Sequence, residues 1–247
     1  MIGKNVLVLG GTSAITRALA ARMLSCGAVL HLAGRDLFEL ERVACDLSIR
    51  YQSKVTWSAF EADDYASHAG FLDKVVGDMG RVDVAVIAAG DLGSQEESER
   101  DFEKGRRLIS VNFTGMASIL THLANYMEAR KSGAIIAISS VAGDRGRRSN
   151  YFYASAKGGL SLFLQGLRAR LAPLAIPVLT VKPGFVDTKM VFGKPGLLLV
   201  ASPGTVARDI LKAYRRRKDV IYTPWFWRPV MCGFRLVPEW LFKRLPV

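Results

Sequence analysis

Short apolar runs alternate with longer amphipathic stretches from one end of the chain to the other. The apolar runs are rich in valine, leucine and isoleucine, and in several of them consecutive positions are apolar. Consecutive apolar positions are typical of strands buried on both faces of a parallel sheet. Seven strands are predicted on this basis, at residues 6–9, 29–33, 55–57, 84–88, 134–138, 178–181 and 220–222.

The stretches between these runs have the length and the apolar spacing of helices. Five of them are predicted as helices, at residues 14–26, 37–51, 112–129, 153–171 and 205–216. Alternating strands and helices give repeated βαβ units, whose helices must cover both faces of the sheet. The predicted fold class is therefore α/β, a single Rossmann-type doubly wound sheet of about seven parallel strands that binds its ligand at the carboxyl ends of the strands.

The composition is that of one ordinary globular unit. The chain has 247 residues, of which 50% are hydrophobic and 23% charged, and it contains no linker-like tract. Cys26, Cys45 and Cys232 are odd in number and lack metal-like spacing, so we expect buried reduced thiols, with no disulfide framework and no metal site. No apolar run is long enough to span a bilayer and no signal-peptide pattern follows Met1, so we expect a cytoplasmic protein.

The net charge points to an anionic partner. The formal charge is +12, and the isoelectric point is about 9.9. Nucleic acid, phospholipid headgroups and a phosphorylated substrate all fit this charge. The basic residues match no groove-reading or base-stacking module, so we expect no nucleic-acid partner.

A glycine-rich segment follows the first predicted strand. Residues 9–16 read Leu-Gly-Gly-Thr-Ser-Ala-Ile-Thr, and the first predicted helix begins inside them. Backbone N–H groups at such a helix start bind the pyrophosphate of a dinucleotide. Ala14 and Thr16 stand where the fingerprint G-x-x-x-G-x-G has its second and third glycines. An ordinary structural turn is therefore an equally good interpretation of this segment alone.

The end of the second predicted strand bears on the choice of dinucleotide. It reads Gly34-Arg35-Asp36, with no carboxylate at Gly34 to bind a ribose 2′-hydroxyl. Arg35 can instead pair with a 2′-phosphate, which favours NADP(H) over NAD(H), although NAD(H) stays possible. A solvated arginine at the start of a helix is the alternative interpretation.

A candidate catalytic set follows in chain order. Tyr153 and Lys157 stand four positions apart in a predicted helix, and therefore on one face of it, where the ammonium can draw the pKa of the phenol toward neutrality. Ser140 follows the fifth predicted strand, and Asn112 begins the helix before that strand. Residues 183–188, Pro-Gly-Phe-Val-Asp-Thr, follow the sixth. This order gives weight to a tyrosine–lysine pair that alone is a common chance match.

The ordered set resembles the short-chain dehydrogenase/reductase superfamily, and the resemblance covers residues 5–222. It implies an NAD(P)(H)-dependent oxidoreductase acting on CH–OH or C=O groups. By this resemblance Tyr153 is the general acid in reduction or the base in oxidation, and Ser140 hydrogen-bonds the substrate carbonyl. Lys157 holds the nicotinamide ribose and tunes Tyr153, and Asn112 anchors a water in a proton relay.

The same resemblance implies which residues of a catalytic domain spanning residues 1–223 line the cofactor. Besides the tyrosine and the lysine, they are Gly10, Ser13, Ile15, Arg35, Glu61, Ala62, Ala89, Gly90, Val186 and Thr188. The glycine-loop residues line the pyrophosphate, Glu61 and Ala62 face the adenine, and Val186 and Thr188 hold the carboxamide and phosphate side. The chain departs from the family at residues 87–90, which read Ile-Ala-Ala-Gly rather than Asn-Asn-Ala-Gly.

The loop between Ser140 and the tyrosine helix is basic. It contains Arg145, Arg147 and Arg148, and it is expected to cover the site. Three arginines there suit an anionic substrate such as a phosphate ester. An exposed basic loop that aids solubility or pairs with a neighbouring subunit is the open alternative.

Residues 224–247 extend the same domain beyond the last predicted strand. They hold Trp225, Trp227 and Trp240, three of the four tryptophans, among arginines and lysines and two helix-breaking prolines. Such a segment can lie in a membrane interface but cannot span a bilayer, which would make the protein peripheral on the cytoplasmic membrane face. Packing over the substrate pocket or against another subunit is the alternative.

Residues 143–157 and the aromatic C-terminal end resemble the decaprenylphosphoryl-2-keto-pentose reductase branch of the superfamily. That resemblance implies reduction of a 2-keto sugar, such as a 2-keto-ribose, carried on a polyprenyl phosphate. The competing interpretations are a soluble carbonyl reductase of another substrate, whose tail serves oligomer contacts, and a non-catalytic dinucleotide sensor, which has no need of Tyr153 or Lys157. We expect a homo-oligomer, either a dimer or a tetramer.

Overall fold

The computed structural model describes residues 1–188 and 199–245. Its strands are β1 (Asn5–Leu9), β2 (Val29–Gly34), β3 (Val55–Ala59), β4 (Val84–Ile87), β5 (Ile135–Ile138), β6 (Val178–Pro183) and β7 (Val220–Thr223). They form one sheet in the order β3-β2-β1-β4-β5-β6-β7, and every neighbouring pair is parallel. The predicted doubly wound α/β fold is confirmed.

Helices connect and follow the strands. Within the described residues they are α1 (Ala14–Leu24), α2 (Leu37–Tyr51), α3 (His68–Met79), α4 (Gln95–Arg100), α5 (Phe102–Ile109), α6 (Gly115–Ala129), α7 (Tyr151–Leu171), α8 (Pro203–Arg215), α9 (Trp227–Leu236) and α10 (Glu239–Phe242). The predicted strands and long helices are all present, with ends within three residues of the prediction. No described helix is both long enough and apolar enough to cross a membrane.

The sheet has a hydrophobic core on each face, because successive side chains of a strand point to opposite sides. On β1, Val6 and Val8 face the core that α1, α2 and α8 cover, whereas Leu7 and Leu9 face the core under α3, α6 and α7. All four side chains are fully buried or nearly so. This double burial explains the unbroken apolar runs of the sequence.

The strand order reverses between β1 and β4, where chain connections leave in opposite directions. A crevice therefore opens beyond the carboxyl ends of these two strands, which is the usual ligand position in doubly wound sheets. The glycine-rich segment, residues 88–91 after β4 and the end of β5 all meet at this crevice.

Asn112 does not begin a helix, contrary to the prediction. Residues 110–114 form a π-turn that joins α5 to α6 as one continuous helical segment. Gly115, just after this turn, packs so closely on the carbonyl of Ala62 that a Cβ would lie 1.7 Å from its oxygen. π-Turns of this kind are frequent at functional sites because they re-aim one side chain of a helix.

The prediction of buried cysteines is wrong for Cys45 and Cys232, which are exposed, and Cys26 is half-buried. Cys45 lies on α2, whose buried face consists of Leu40, Val43, Ala44 and Leu47. Helical spacing places position 45 beside that face rather than on it. The low polarity of cysteine does not decide which face of a helix it occupies.

The C-terminal segment, residues 224–245, packs on the domain as α9 and α10. Trp227 and Met231 of α9 are buried in a small cluster with Val141. Pro229 does not interrupt the helix as expected, because it lies in the first turn of α9, where no backbone N–H donor is required. Pro238 separates α9 from α10.

Candidate active site

A cleft of about 390 Å³ opens at the carboxyl ends of the strands. One end lies between the first turn of α1 and the start of α2, and the other end reaches Tyr153 and Lys157 on α7. Pro183 and Gly184, after β6, form part of the wall. A long cleft of this kind suits an extended ligand.

Gly10 makes the turn from β1 into α1 possible. Its φ is +83°, a conformation that favours glycine, and a Cβ there would lie 2.8 Å from the backbone of Ala88 and Ala89. Ser13 then caps α1, its hydroxyl accepting a hydrogen bond of 3.2 Å from the N–H of Thr16. The first turn of α1 lines the cleft, so the N-terminus of this helix is placed to bind an anion.

Thr16, in place of the third fingerprint glycine, takes part in the same turn. The residue is fully buried, and its hydroxyl lies 2.7 Å from the carbonyl oxygen of Gly10 and 2.9 Å from that of Ser13. The Ser13 hydroxyl lies 2.9 Å from the Thr16 hydroxyl. A threonine at this position therefore ties the turn together with hydrogen bonds instead of leaving room for the backbone.

Asn112 is fully buried beside the cleft, and backbone groups hold its amide. Its Nδ2 donates to the carbonyls of Asp91, at 2.7 Å, and Leu108, at 3.0 Å, while its Oδ1 accepts from the N–H of Asp91. Gly90 allows this approach, because a Cβ there would lie 2.7 Å from the Asn112 Oδ1 and 3.1 Å from the Lys157 Nζ. Asn112 thus fixes the loop after β4 against the π-turn.

Tyr153 and Lys157 lie together on the buried face of α7. The Lys157 Nζ is 5.7 Å from the centroid of the Tyr153 ring, and the Ser140 hydroxyl hydrogen-bonds the phenol. Lys157 is 4% exposed and its ammonium lies 3.5 Å from the carbonyl oxygen of Ile138. The Ser139 hydroxyl donates to the Lys157 carbonyl, at 2.9 Å, and so fixes the backbone of α7 to the end of β5.

Burial sets the protonation of this pair. It raises the pKa of Tyr153 to about 12, although the hydrogen bond from Ser140 acts in the opposite direction, and it lowers the pKa of Lys157 to about 8. In this arrangement the expected lowering of the Tyr153 pKa by Lys157 is not seen, because desolvation dominates while the ammonium lies 5.7 Å from the ring centroid. A neutral, buried phenol is suited to donate a proton.

The structure brings most of the predicted site residues to the cleft. Those that line it are Ser13, Ile15, Gly90, Asn112, Ser140, Tyr153, Lys157, Val186 and Thr188. Those outside the lining are Gly10, Arg35, Glu61, Ala62, Ala89, Arg145, Arg147 and Arg148. Gly10 and Ala89 support the lining from behind through their close backbone approach.

Two residues expected to face the adenine lie outside the cleft lining. Burial and Asp63 raise the pKa of Glu61, while the charge of Arg35 acts in the opposite direction. Arg35 itself is exposed at the surface. Ala62 is buried, with its carbonyl against Gly115.

Arg145 is occupied by the C-terminal segment. Its Nη1 donates to the carbonyls of Phe234, at 2.7 Å, and Val237, at 2.6 Å, and its Nη2 pairs with Glu239 at 2.9 Å. The guanidinium carbon lies 3.8 Å from the centroid of the Phe242 ring. In this structure Arg145 therefore anchors α9 and α10 and does not point into the cleft.

The other two arginines of the loop differ in exposure. Arg147 is half-buried, with its pKa lowered by burial, and Arg148 is exposed. Asp144 fixes the start of this loop to the sheet, because its carboxylate pairs with Lys182 and accepts a hydrogen bond of 2.7 Å from the Tyr222 hydroxyl. The segment that follows Ser140 is thus held from both sides.

Sequence reasoning missed several residues of the cleft. They are Arg17, Asp36, Glu39 and Ser139. Asp36 caps α2 by accepting from the N–H of Glu39 at 3.0 Å, and Glu39 pairs with Arg17 across the cleft. The pairing of α1 with α2 joins distant segments of the chain, which sequence patterns do not show.

A cleft at the strand-order reversal, next to a buried tyrosine and lysine and a half-buried serine, is typical of a dinucleotide-dependent oxidoreductase of the doubly wound class. The family model described as short chain dehydrogenase matches residues 4–194. The chain therefore belongs to the short-chain dehydrogenase/reductase family, and it is an oxidoreductase.

Its relatives agree with this assignment. An uncharacterised oxidoreductase of Mycobacterium tuberculosis is 36% identical over 241 residues, which cover 98% of this chain and 96% of the relative. One of Streptomyces coelicolor is 34% identical over 247 residues, which cover 99% and 96%. Among solved structures, a short-chain dehydrogenase from Sphingobium yanoikuyae in complex with NADPH is 25% identical, with a TM-score of 0.82 over 98% of this chain and 96% of that one.

Proposed function

We propose that the protein uses NADPH to reduce the 2-keto group of a sugar carried on a polyprenyl phosphate, with residues 224–245 resting on a membrane surface. The family, the cleft and its buried tyrosine support the reductase part. The observation that supports a lipid-linked substrate is that the C-terminal segment packs beside the catalytic serine with one face buried and the other exposed. NAD(H) remains an allowed cofactor of the same cleft.

The cleft fits a dinucleotide on the geometry of its own residues. Gly10 is backed by the chain after β4 with no space for a Cβ, and the capped N-terminus of α1 presents backbone donors. These groups are suited to a pyrophosphate. In our proposal Ser13 and Ile15 bind that pyrophosphate, Lys157 holds the nicotinamide ribose, and Val186 and Thr188 contact the carboxamide side.

The chemistry assigned to the chain is proton donation. Tyr153 donates its phenolic proton to the carbonyl oxygen of the substrate, which Ser140 holds by a hydrogen bond. Lys157, buried beside the ring, supplies the positive charge that stabilises the phenolate left behind. When bound in the cleft, a reduced nicotinamide would supply the hydride that converts the ketone to the secondary alcohol.

Asn112 acts in this proposal by position. Both hydrogens of its amide are donated to backbone carbonyls, at 2.7 and 3.0 Å. It therefore holds the π-turn and the loop after β4 beside Lys157, where the proton relay to solvent is expected to pass. The relay returns a proton to Tyr153 after each turnover.

The C-terminal segment has two different faces. Trp227, Met231 and Phe242 are buried against the domain, whereas Trp225, Leu236 and Trp240 are 76%, 77% and 62% exposed. Four cations of the segment are also exposed: Arg228, Arg235, Lys243 and Arg244. Exposed tryptophans among cations favour the interface of an anionic membrane.

The loop after Ser140 contacts the C-terminal segment through Arg145, which donates to the carbonyls of Phe234 and Val237. Arg147 and Arg148 follow Arg145 in the same loop, and Arg148 is exposed. A guanidinium binds phosphate with two parallel hydrogen bonds. We therefore assign the substrate phosphate to Arg147 and Arg148, and we withdraw Arg145 from that role because it is already engaged.

Liposome co-sedimentation tests the membrane part. At low salt the full-length protein should sediment with vesicles in which about one lipid in three is the anionic phosphatidylglycerol. High salt should release the protein, because it screens the attraction between surface charges. The double variant Trp225→Ser/Trp240→Ser should lose this binding and keep its melting temperature. The matched control Ile49→Ser/Phe102→Ser, which changes exposed side chains on other faces, should bind as the wild type does.

Turnover tests the substrate part. NADPH oxidation should be at least about tenfold more efficient, as kcat/KM, with a polyprenyl-phosphate-linked 2-keto pentose than with the free ketose, because the lipid-linked form adds a charge-assisted phosphate contact. Equal efficiency with both would contradict the lipid-linked substrate. It would leave a carbonyl reductase whose exposed segment serves contacts between subunits, and the molar mass in solution would then identify a dimer or tetramer.

A further inference from the structure

The end of the cleft far from Tyr153 contains an ion pair that the assigned chemistry does not use. Arg17, in the first turn of α1, pairs with Glu39, in the first turn of α2, and both side chains line the cleft. The second oxygen of Glu39 accepts a hydrogen bond of 3.1 Å from Arg42. The pair therefore bridges the two helices that follow β1 and β2.

Arg17 stands where a cation is unfavourable without an anion. The N-terminus of a helix carries a partial positive charge, and the first turn of α1 contains no acidic residue. In addition, the Arg17 Nε is buried and has no hydrogen-bond acceptor among residues 1–188 and 199–245. Glu39 neutralises one edge of the guanidinium and leaves this N–H without a partner.

The position of the pair identifies the part of the cofactor that it would meet. Asp36 caps α2 directly after the end of β2, and Glu39 lies one turn further on. In doubly wound sheets, residues at the end of the second strand contact the adenosine ribose, whereas the start of the first helix contacts the pyrophosphate. The Arg17 guanidinium lies on the α2 side and so on the ribose side.

We propose that Arg17 is a ligand of the 2′-phosphate of NADP(H), and that Glu39 holds this arginine in place and competes with the phosphate for it. This inference rests on the proposed use of NADP(H). Carboxylate and phosphate both accept two parallel hydrogen bonds from a guanidinium, so one can replace the other. Arg42 remains paired with Glu39 after the exchange, so the carboxylate is not left alone.

This assignment differs from the one based on sequence alone, which relied on Arg35. Arg35 is exposed and lies outside the cleft lining, beside Glu61. Arg17 lines the cleft and has an unused donor. In our proposal Glu39 therefore lowers the preference for NADP(H) below the level that Arg17 alone would give.

Dissociation constants for NADPH and NADH test the proposal, measured by calorimetry on the full-length protein. Arg17→Gln should weaken the binding of NADPH by about tenfold or more and the binding of NADH by less than about twofold, because only NADPH has the 2′-phosphate. Glu39→Gln should tighten the binding of NADPH by about threefold or more, because it removes a competing charge. The dissociation constant of NADH should stay within about twofold of the wild-type value. The matched controls Arg22→Gln on α1 and Glu41→Gln on α2 are exposed and make the same charge changes. They should change neither constant.

Several results would overturn the proposal. An equal loss of NADPH and NADH affinity in Arg17→Gln would place this arginine at the pyrophosphate. Weaker NADPH binding in Glu39→Gln would make Glu39 a support without a competing role. If Arg17→Gln unfolds, Arg17→Lys keeps the charge without the planar fork, and unchanged NADPH affinity in it would also count against us.

The proposed function and this inference fail in different ways. A wild-type protein that binds neither NADPH nor NADH contradicts the proposed function itself. A wild-type protein that prefers NADPH, with a preference that neither variant changes, contradicts only the roles of Arg17 and Glu39. Binding of 2′-AMP and 5′-AMP gives a second readout, because Arg17→Gln should weaken only the former.

Discussion

The catalytic end of the cleft and the C-terminal segment both combine aromatic and cationic side chains, but the first buries them and the second exposes many of them. At the catalytic end, Asn112, Tyr153 and Lys157 are buried, and backbone groups or neighbouring hydroxyls hold their polar atoms. In the C-terminal segment, Trp225 and Trp240 are exposed among cations. The first region is arranged in advance for chemistry, and the second offers a surface.

This difference predicts which properties each region controls. Changes at the buried end should alter turnover and stability, because its groups have been taken out of water and are fixed. Changes on the outer face of the segment should alter only what the protein binds. The inner face of the segment connects the two regions. Its Phe234 carbonyl accepts a hydrogen bond from Arg145, and its Trp227 packs on Val141, both in the chain that follows Ser140.

The largest expected effect is on turnover at the buried end. Tyr153→Phe should lower kcat by about two orders of magnitude or more, the usual contribution of a positioned acid, with NADPH affinity largely kept. The assay is NADPH oxidation with the ketone that the wild type reduces fastest. Tyr151→Phe changes a partly exposed tyrosine of the same helix and should keep full activity. Near-normal turnover of Tyr153→Phe would remove this residue from the mechanism.

Lys157 should lower the free energy of unfolding while it supports catalysis. Its pKa in the folded chain, about 8, lies below its ordinary value of 10.5, so below pH 8 the fold carries the full cost of a buried charge. Between about pH 8 and 10.5 the unfolded chain binds more protons, and this contribution to the free energy of unfolding rises with pH.

Lys157→Met should therefore be inactive and yet more stable at pH 7, by about 1 to 3 kcal/mol, with the gain absent above about pH 10.5. Urea unfolding at the two pH values measures this. Lys104→Met changes an exposed lysine and should show no such gain. A variant less stable than the wild type at pH 7 would mean that the ammonium makes a favourable contact stronger than its desolvation cost.

Within the basic loop, the arginine that contacts the C-terminal segment should matter more for stability than an exposed one. Arg145→Gln should lower the free energy of unfolding by about 1 to 3 kcal/mol, because the partly buried carbonyls of Phe234 and Val237 lose their donor. Arg148→Gln, an exposed change in the same loop, should alter it by less than about 0.5 kcal/mol. Urea unfolding of both variants makes the comparison. Equal effects would show that the Arg145 contacts do not hold the segment.

The smallest effect is expected at the glycine-rich turn. Thr16→Val keeps the shape of the side chain but removes the hydroxyl that lies 2.7 Å from the Gly10 carbonyl oxygen. It should lower the free energy of unfolding by about 1 kcal/mol and weaken NADPH binding several-fold. Thr16→Ser, which keeps the hydroxyl, should stay close to the wild type. Thermal unfolding and NADPH titration measure both. A Thr16→Val protein equal to the wild type would make the threonine a tolerated substitution only.

The sequence was sufficient for features that depend on short spacings. Alternating strands and helices predicted the sheet, because burial on both faces leaves unbroken apolar runs. The tyrosine–lysine pair was visible since four positions make one helical turn. Ser140 followed from its place at a strand end.

Features that depend on contacts between distant elements could not be predicted. Arg17 and Glu39 belong to two helices, and nothing in either segment shows that they pair. Arg145 had the composition of a phosphate ligand, and only the packing of α9 shows that backbone carbonyls occupy it. The π-turn at Asn112 adjoins the close packing of Gly115 on Ala62, a contact between distant segments that no local propensity encodes.

A crystal structure of the protein with NADPH tests the central claim most directly. We predict one NADPH per chain in the cleft, with the nicotinamide on the Tyr153 side and the adenosine between Arg17 and Asp36. The phenol should then face the ring that carries the hydride. Dinucleotide bound in the reverse direction, or outside this cleft, would contradict both the assigned catalytic tyrosine and the reductase function built on it.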